Sequence, residues 1–127
     1  LDTGRPVCLE FTREEEFTTA SPRHSMSLTV ELGARADGTL TAIRVRNVSN
    51  PGAYGNHGGE TLFAGGAAIA TYRCLNKKFD AYSVYTNTVP GGALRGYGMT
   101  QPAFAMESAM HELAVAPSIA APERSHW

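Results

Sequence analysis

Cysteine, net charge and long apolar runs are all scarce in this chain of 127 residues, and each scarcity closes off a class of function. The two cysteines, Cys8 and Cys74, lie far apart and form no CxxC pair. The chain therefore carries neither a zinc pattern nor the ligand set of an iron–sulfur cluster. A disulfide between them is unneeded, and both read as buried free thiols of a reducing compartment. The histidines, His24, His57, His111 and His126, show no metal-ligand spacing and read as surface residues. With 11 basic and 12 acidic side chains the net charge is −1, too little to steer nucleic acid or an anionic membrane surface. No apolar stretch approaches the roughly 20 residues that span a bilayer, and the N-terminus lacks the basic-then-apolar layout of a leader. These absences point to a cytoplasmic chain with no nucleic-acid and no membrane partner.

What is present reads as ordinary globular sequence: 43% hydrophobic and 18% charged residues suit one modest core, so one domain at most is expected. Val7 to Phe11 reads as a short strand. Thr12 followed by Glu15 has the form of a capping box opening a brief helical turn, and Ser21 with Pro22 marks a loop. From Met26 the apolar residues alternate as Met26, Leu28, Val30 and Leu32, which predicts a half-buried strand. Asp37-Gly38 supplies a hairpin turn. The strand returning from Thr39 to about Val48 sets Ile43 and Val45 on one face and Arg44 and Arg46 on the other, toward solvent or a neighbouring domain.

After Asn50 the chain is rich in glycine, and an alanine-rich stretch from Ala67 to Tyr72 predicts a short helix. Phe79 to Thr88 predicts a third long strand. A last helix is expected from about 101 to 115, with Thr100 as N-cap, Pro102 in the first turn, an apolar face of Ala103, Met106, Met110 and Leu113, and Pro117 ending it. The expected fold class is α+β, a β-hairpin and a further strand packed with helices.

The most informative stretch is Gly91-Gly92-Ala93-Leu94-Arg95-Gly96-Tyr97-Gly98, between the third strand and the last helix. Glycines admit close backbone approach and positive φ, the following helix offers unpaired N–H groups, and Arg95 adds a permanent charge. That is a design for cradling an anion, most naturally a phosphate or a phosphorylated cofactor. It is no Walker loop, since Tyr97 stands where the lysine belongs, and no dinucleotide fingerprint, since Gln101 replaces the third glycine.

Read with Tyr85-Thr86-Asn87-Thr88 ahead of it and Pro102 to Ala109 behind, the loop resembles the Arg-Gly-aromatic-Gly region of the molybdenum hydroxylases, the xanthine dehydrogenase and aldehyde oxidase family. Gly4-Arg5-Pro6-Val7, Phe11 to Phe17, Arg23-His24, Gly52-Ala53-Tyr54-Gly55 and Tyr72 to Asn76 resemble segments of the same large, molybdopterin-binding subunit, in order, from about residue 4 to residue 115. Members' large subunits are several times longer, so the chain resembles an internal slice, and beginning at Leu1 fits that. Residues 1–115 are then part of a molybdopterin-binding domain. Residues 116–127 read as a disordered tail foreign to the family, the product of a truncation, a frameshift or a cloning scar.

The resemblance implies that Arg95, Gly96 and Gly98 contact the molybdenum–molybdopterin cofactor and that Tyr97 packs against a flat substrate. Counted back without gaps, Phe63 falls where purine-oxidising members carry a substrate-orienting arginine. An apolar lining there suits an aldehyde or a less polar N-heterocycle better than xanthine. The ordinary alternative is that Arg95 pairs with a glutamate and Tyr97 fills a gap in the core. The family hydroxylates aldehydes or N-heteroaromatic carbons with water-derived oxygen and passes electrons to iron–sulfur centres and FAD on other domains or subunits. The family's upstream glycine-rich phenylalanine motif and its C-terminal glycine-glutamate segment, whose carboxylate acts as general base, have no counterpart here. The isolated chain is therefore expected to be inactive, and the rival expectation is a non-catalytic truncated fragment or interaction module that binds no cofactor. Among the remaining acids, Glu14, Glu15 and Glu16 read as a solvated helix start, Glu60 as a helix-start carboxylate in preference to a pocket residue, and Asp37 and Asp80 as turn and strand residues.

Overall fold

The computed structural model describes residues 3–116. Four elements take the form the periodicity predicts. The alternation from Met26 gives strand β1, Ser25–Ala34, in which every second side chain from Met26 to Leu32 is half-buried. A turn follows, with the Asp37 carboxylate accepting from the Thr39 amide at 2.9 Å and Gly38 at φ +83°. Strand β2, Leu40–Gly52, then pairs antiparallel with β1, Leu32 opposite Ile43 and Val30 opposite Val45. Strand β3, Lys77–Tyr85, lies parallel to β2 on its other side, which makes a mixed sheet in the order β1-β2-β3. The Phe79–Thr88 expectation ran too far at its end. Past Tyr85 the chain leaves the ladder: the Thr86 hydroxyl donates to Asn50 Oδ1 at 2.6 Å and the Thr88 carbonyl accepts from the Ala53 amide.

The long C-terminal helix lies against the apolar face of this sheet. It spans Thr100–Val115, and Met106, 1% exposed, meets Ile43 and Val45 at the centre of the core. Met110 packs beside it, while His111 and Glu112 face solvent. Ala116 leaves the helix with φ −66° and ψ 134°, the extended conformation forced on a residue before proline. The opposite sheet face is charged: Arg44 pairs with Glu31 and Asp80 at 3.5 Å each, Lys78 with Asp80 at 3.3 Å, and Arg46 lies over the Tyr82 ring. The half-buried Tyr72 ties the chain before β3 to the long helix, its hydroxyl donating to Glu107 Oε1 at 2.7 Å. That carboxylate acceptor raises the phenol's pKa above its usual value.

Several local expectations need correction. Val7 to Phe11 forms no strand, since no strand lies alongside it among the described residues, and Val7 and Leu9 are exposed. Cys8 shares that exposure, so only Cys74 is partly buried; both thiols are free. The largest departure is in the glycine-rich stretch. Helix α2, Gly58–Gly65, forms there, continued by a 3-10 turn over Gly66–Ala70 where the alanine-rich helix was expected. Propensity opposes a helix so rich in glycine, yet packing overrides it: Gly58 and Gly65 stand where a larger residue would meet a neighbour, while Gly59 has open space around it. A Cβ on Gly58 would lie 2.5 Å from Ser83 Oγ, and one on Gly65 only 3.1 Å from the Gly98 carbonyl. Glu60 does sit in the first turn of α2. Thr100 is the first helical residue rather than the cap, because its hydroxyl is engaged with Arg23 and Gln101. The long helix is accordingly α3.

The capping box at Thr12 is fully formed on α1, Arg13–Thr19, with the Thr12 amide donating to Glu15 Oε2 at 2.8 Å and the Glu15 amide donating to Thr12 Oγ1. Those bonds to the ionised carboxylate hold Glu15 below the ordinary carboxylate value. The cap's contribution is therefore complete above the unfolded carboxylate pKa and lost as pH falls through the lower folded value. Because α1 has no buried residue, acid should melt it alone. Amide exchange of residues 13–19 is expected to accelerate at acidic pH before the sheet amides change, and Thr12→Ala should produce the same acceleration at neutral pH.

Candidate functional site

The loop from Pro90 to Met99 joins β3 to α3 at the Gly52 end of β2, and its glycines do two different jobs. Gly91 and Gly92 are structural: the Gly91 amide donates to the Pro51 carbonyl at 2.8 Å and the Gly92 amide to the Pro22 carbonyl at 2.9 Å. Their N–H groups are thus not available to an anion, contrary to the sequence expectation for the whole glycine run. Past them, the amides of Leu94, Arg95 and Gly96 have no acceptor among the described residues. The loop then turns through left-handed Gly96 and Gly98, at φ +81° and +71°, and enters α3.

Arg95 is exposed at the tip, and its guanidinium makes no ion pair or hydrogen bond among the described residues. The ordinary alternative, pairing with a glutamate, is absent there. Instead its backbone is held from below. Arg23, half-buried, donates from Nη2 to the Arg95 carbonyl and from Nη1 to Thr100 Oγ1 at 2.7 Å. Sequence reasoning passed over Arg23 except as a landmark, since nothing in spacing shows that one guanidinium bridges loop and helix across 77 positions of chain.

Beneath the loop the sheet's buried face changes from apolar to polar. Asn47 and Ser49, both 0% exposed, continue the row of Ile43 and Val45, and His24, 3% exposed, lies against Gly91. His24 Nδ1 and Nε2, Asn47 Oδ1 and Ser49 Oγ have no partner among the described residues. A surface role for His24 is thereby corrected: its ring fills the space a Gly91 side chain would need, 2.1 Å from where that Cβ would stand. His126 lies outside the described residues, as do residues 117–127 of the expected tail.

Tyr97 and Phe63, both singled out on resemblance, come together in one shallow cleft of about 540 Å³ lined by Gly59, Glu60, Phe63, Ala64 and Tyr97. Phe63 is 89% exposed on α2, one helical turn after Glu60, so the carboxylate and the aromatic ring share a face. Glu60 is therefore a cleft residue as well as a helix-start carboxylate. Tyr97 is half-buried across from them, and its hydroxyl lies 2.8 Å from His57 Nδ1. Among the described residues no group of three His, Cys, Asp or Glu side chains is close enough to hold a metal ion. No helix of the described residues is long and apolar enough to cross a membrane.

The arrangement offers unpaired amides and an unpaired guanidinium on the Arg95 loop, beside an aromatic-lined cleft that the loop shares with α2. A family model described as the molybdopterin cofactor-binding domain matches residues 1–123. The chain belongs to that family. Within it, the chain is 44% identical over 114 residues to the probable hypoxanthine oxidase XdhD of Escherichia coli (strain K12), covering 88% of this chain and 12% of that protein. It is 36% identical over 120 residues to the nicotinate dehydrogenase large molybdopterin subunit of Eubacterium barkeri, covering 90% of this chain and 27% of that subunit. Among solved structures it resembles the aldehyde oxidoreductase from Desulfovibrio gigas, with a TM-score of 0.76 at 34% identity, over 88% of this chain and 12% of the other. The chain thus spans a small part of the length of these relatives, and the α+β fold is that of a portion of the molybdopterin-binding domain.

Proposed function

We propose that residues 1–115 hold the molybdenum–molybdopterin cofactor through the Arg95 loop and present a flat substrate to it in the adjoining cleft, as part of a molybdenum hydroxylase large subunit. The observation that carries this reading is the unpaired Arg95 guanidinium beside the unpaired amides of Leu94 to Gly96. These donors fit an anionic group: amides in a positive-φ loop and a guanidinium supply neutral and charged hydrogen bonds to oxyanions. The orphaned His24 nitrogens add hydrogen-bonding capacity under the same loop. When bound, the cofactor supplies the two-electron oxidation that places a water-derived oxygen on an aldehyde or N-heteroaromatic carbon.

The chain's own residues bind and orient. Arg95 forks two donors toward neighbouring oxygens, and Gly96 and Gly98, at φ +81° and +71°, give the loop the left-handed turn that carries it. Phe63 and Tyr97 offer aromatic surfaces to a planar ring, and Glu60 gives the cleft one acceptor for a ring N–H. Iron–sulfur and FAD partners, the rest of the large subunit and a cytoplasmic location belong to the same proposal, on the strength of the relatives' kind.

Arg95 is tested by cofactor retention in the complete subunit. Arg95→Ala is expected to weaken retention by roughly 1.5 to 3 kcal/mol, about 10- to 150-fold, with little change in melting temperature because a loop-tip side chain buries little apolar surface. Arg95→Lys should recover only part of it, since an ammonium cannot fork two donors. Molybdenum content with pterin fluorescence, beside thermal melting, reads both. Unchanged content with a sharp fall in melting temperature makes Arg95 a structural residue.

The 127-residue chain alone is expected to hold no cofactor and to oxidise neither purines nor aldehydes. Its exposed apolar side chains support this, with Leu75 at 99% and Tyr54 at 91%, on surfaces that no described residue covers. Stoichiometric molybdenum on the purified chain, or turnover of any aldehyde with a dye acceptor, would overturn that expectation.

A further inference from the structure

His57 carries two features that its neighbours do not explain. It is a non-glycine residue in the left-handed region, at φ 52° and ψ 17°, directly before α2. Such a conformation costs an L-residue about 1 to 2 kcal/mol. It caps nothing with its side chain. The turn is nevertheless pinned: the His57 carbonyl accepts from the Thr61 amide and the Thr61 hydroxyl, and Gly58 packs on Ser83. Glycine would hold the same backbone at lower cost, so the backbone alone does not call for an imidazole.

It touches Tyr97. Nδ1 lies 2.8 Å from the Tyr97 hydroxyl, and the two rings stand edge to face, 5.7 Å between centroids at 89°. With the imidazole proton on Nε2 the hydroxyl donates to Nδ1; with it on Nδ1 the direction reverses. In either tautomer the phenol is held at its oxygen, with the two ring planes perpendicular. We propose that His57 is a positioning residue, which fixes the Tyr97 ring at the wall of the cleft opposite Phe63 so that a planar substrate meets a preset surface. This rests on the reading of Tyr97 as a substrate contact. A tyrosine at this place in a glycine-flanked loop is otherwise free to turn, and ordering it in advance improves binding without adding a contact.

The complete subunit carrying this segment provides the test, with purine and benzaldehyde as the two probes. Tyr97→Phe removes the bond from one side and His57→Gly from the other. Each should raise KM for both probes about fivefold, the size expected for one hydrogen bond, with the change in KM rather than kcat. The double variant should be no worse than either single. His57→Asn should stay near wild type, since an asparagine amide places a polar atom where Nδ1 stands and tolerates the left-handed backbone. His57→Gly should melt no lower than wild type, because glycine relieves the positive φ, and a crystal structure of it should show the Tyr97 ring in more than one orientation. Tyr97→Ala separates the two readings. If it raises KM while Tyr97→Phe and His57→Gly leave KM unchanged, His57 does not position the ring and the cleft reading stands. If Tyr97→Ala leaves KM unchanged, both readings fall.

Discussion

Gly98→Ala should lower the stability of the fold by about 3 kcal/mol or more, far out of proportion to one methyl group. Two costs add at this position. The backbone sits at φ +71°, where an L-residue loses about 1 to 2 kcal/mol. The new Cβ would also stand 2.2 Å from the Thr61 carbonyl oxygen and 2.9 Å from its carbonyl carbon and Cα. Those are backbone atoms of a buried residue in α2, so no side chain can swing aside, and overpacking of this kind costs about 1 to 3 kcal/mol more. Gly38→Ala is the control. It has φ +83° but open space around its Cβ, so only the conformational cost applies. Urea unfolding of both variants isolates the contact: equal midpoints would mean that the Arg95 loop is not seated on α2 as described.

Met106→Ala is the second large effect, expected to cost about 2 to 5 kcal/mol. The side chain is 1% exposed and meets Ile43 and Val45, the other buried members of the apolar cluster among the described residues, so truncation opens a cavity where α3 and the sheet exclude water. Half-buried Leu28, Val30 and Met110 surround it and collapse only in part. Met106→Leu, nearly equal in volume, should cost less than about 1.5 kcal/mol. Met110→Ala, at the partly exposed border, should fall between. A Met106→Ala midpoint indistinguishable from wild type would move the core away from the α3–β2 contact.

The parts of this fold that were legible in the sequence are those with a period. Met26 to Leu32 alternates, Ala103, Met106, Met110 and Leu113 recur at three and four, and burial in the structure follows both patterns. The Thr12 capping box was legible because one hydrogen-bonding pair, three residues apart, forms it. What escaped is what tertiary packing decides. Gly58–Gly65 is helical despite its glycines, and β3 and the Arg95 loop crowd Gly58 and Gly65 from distant parts of the chain, a fact with no local trace. That β3 runs parallel to β2 is likewise invisible to periodicity, which gives a strand but not its partner.

At the site, Arg95, Tyr97 and Phe63 were reached by resemblance, and the structure brings the last two into one cleft. Arg23, His24 and His57 were missed as individuals. Each acts through a neighbour about 40 to 77 residues away, or, in His24, through burial against a glycine. A histidine and a tyrosine 40 positions apart carry no spacing signal at all.

The sheet has three strands, with β2 in the centre, so β1 and β3 each keep one side unpaired among the described residues. An unpaired strand side is a row of amides and carbonyls ready to dock another strand, and it is a hazard when a chain stands alone. On β3 the hazard is uneven. Lys77, Lys78 and Asp80 place charge on its first half, whereas Tyr82, Val84 and Tyr85 leave its second half exposed and uncharged. Strand-to-strand addition would begin at that second half, next to the Arg95 loop. The same few residues thus decide both where a neighbouring segment can extend the sheet and where copies of the lone chain would stick to one another.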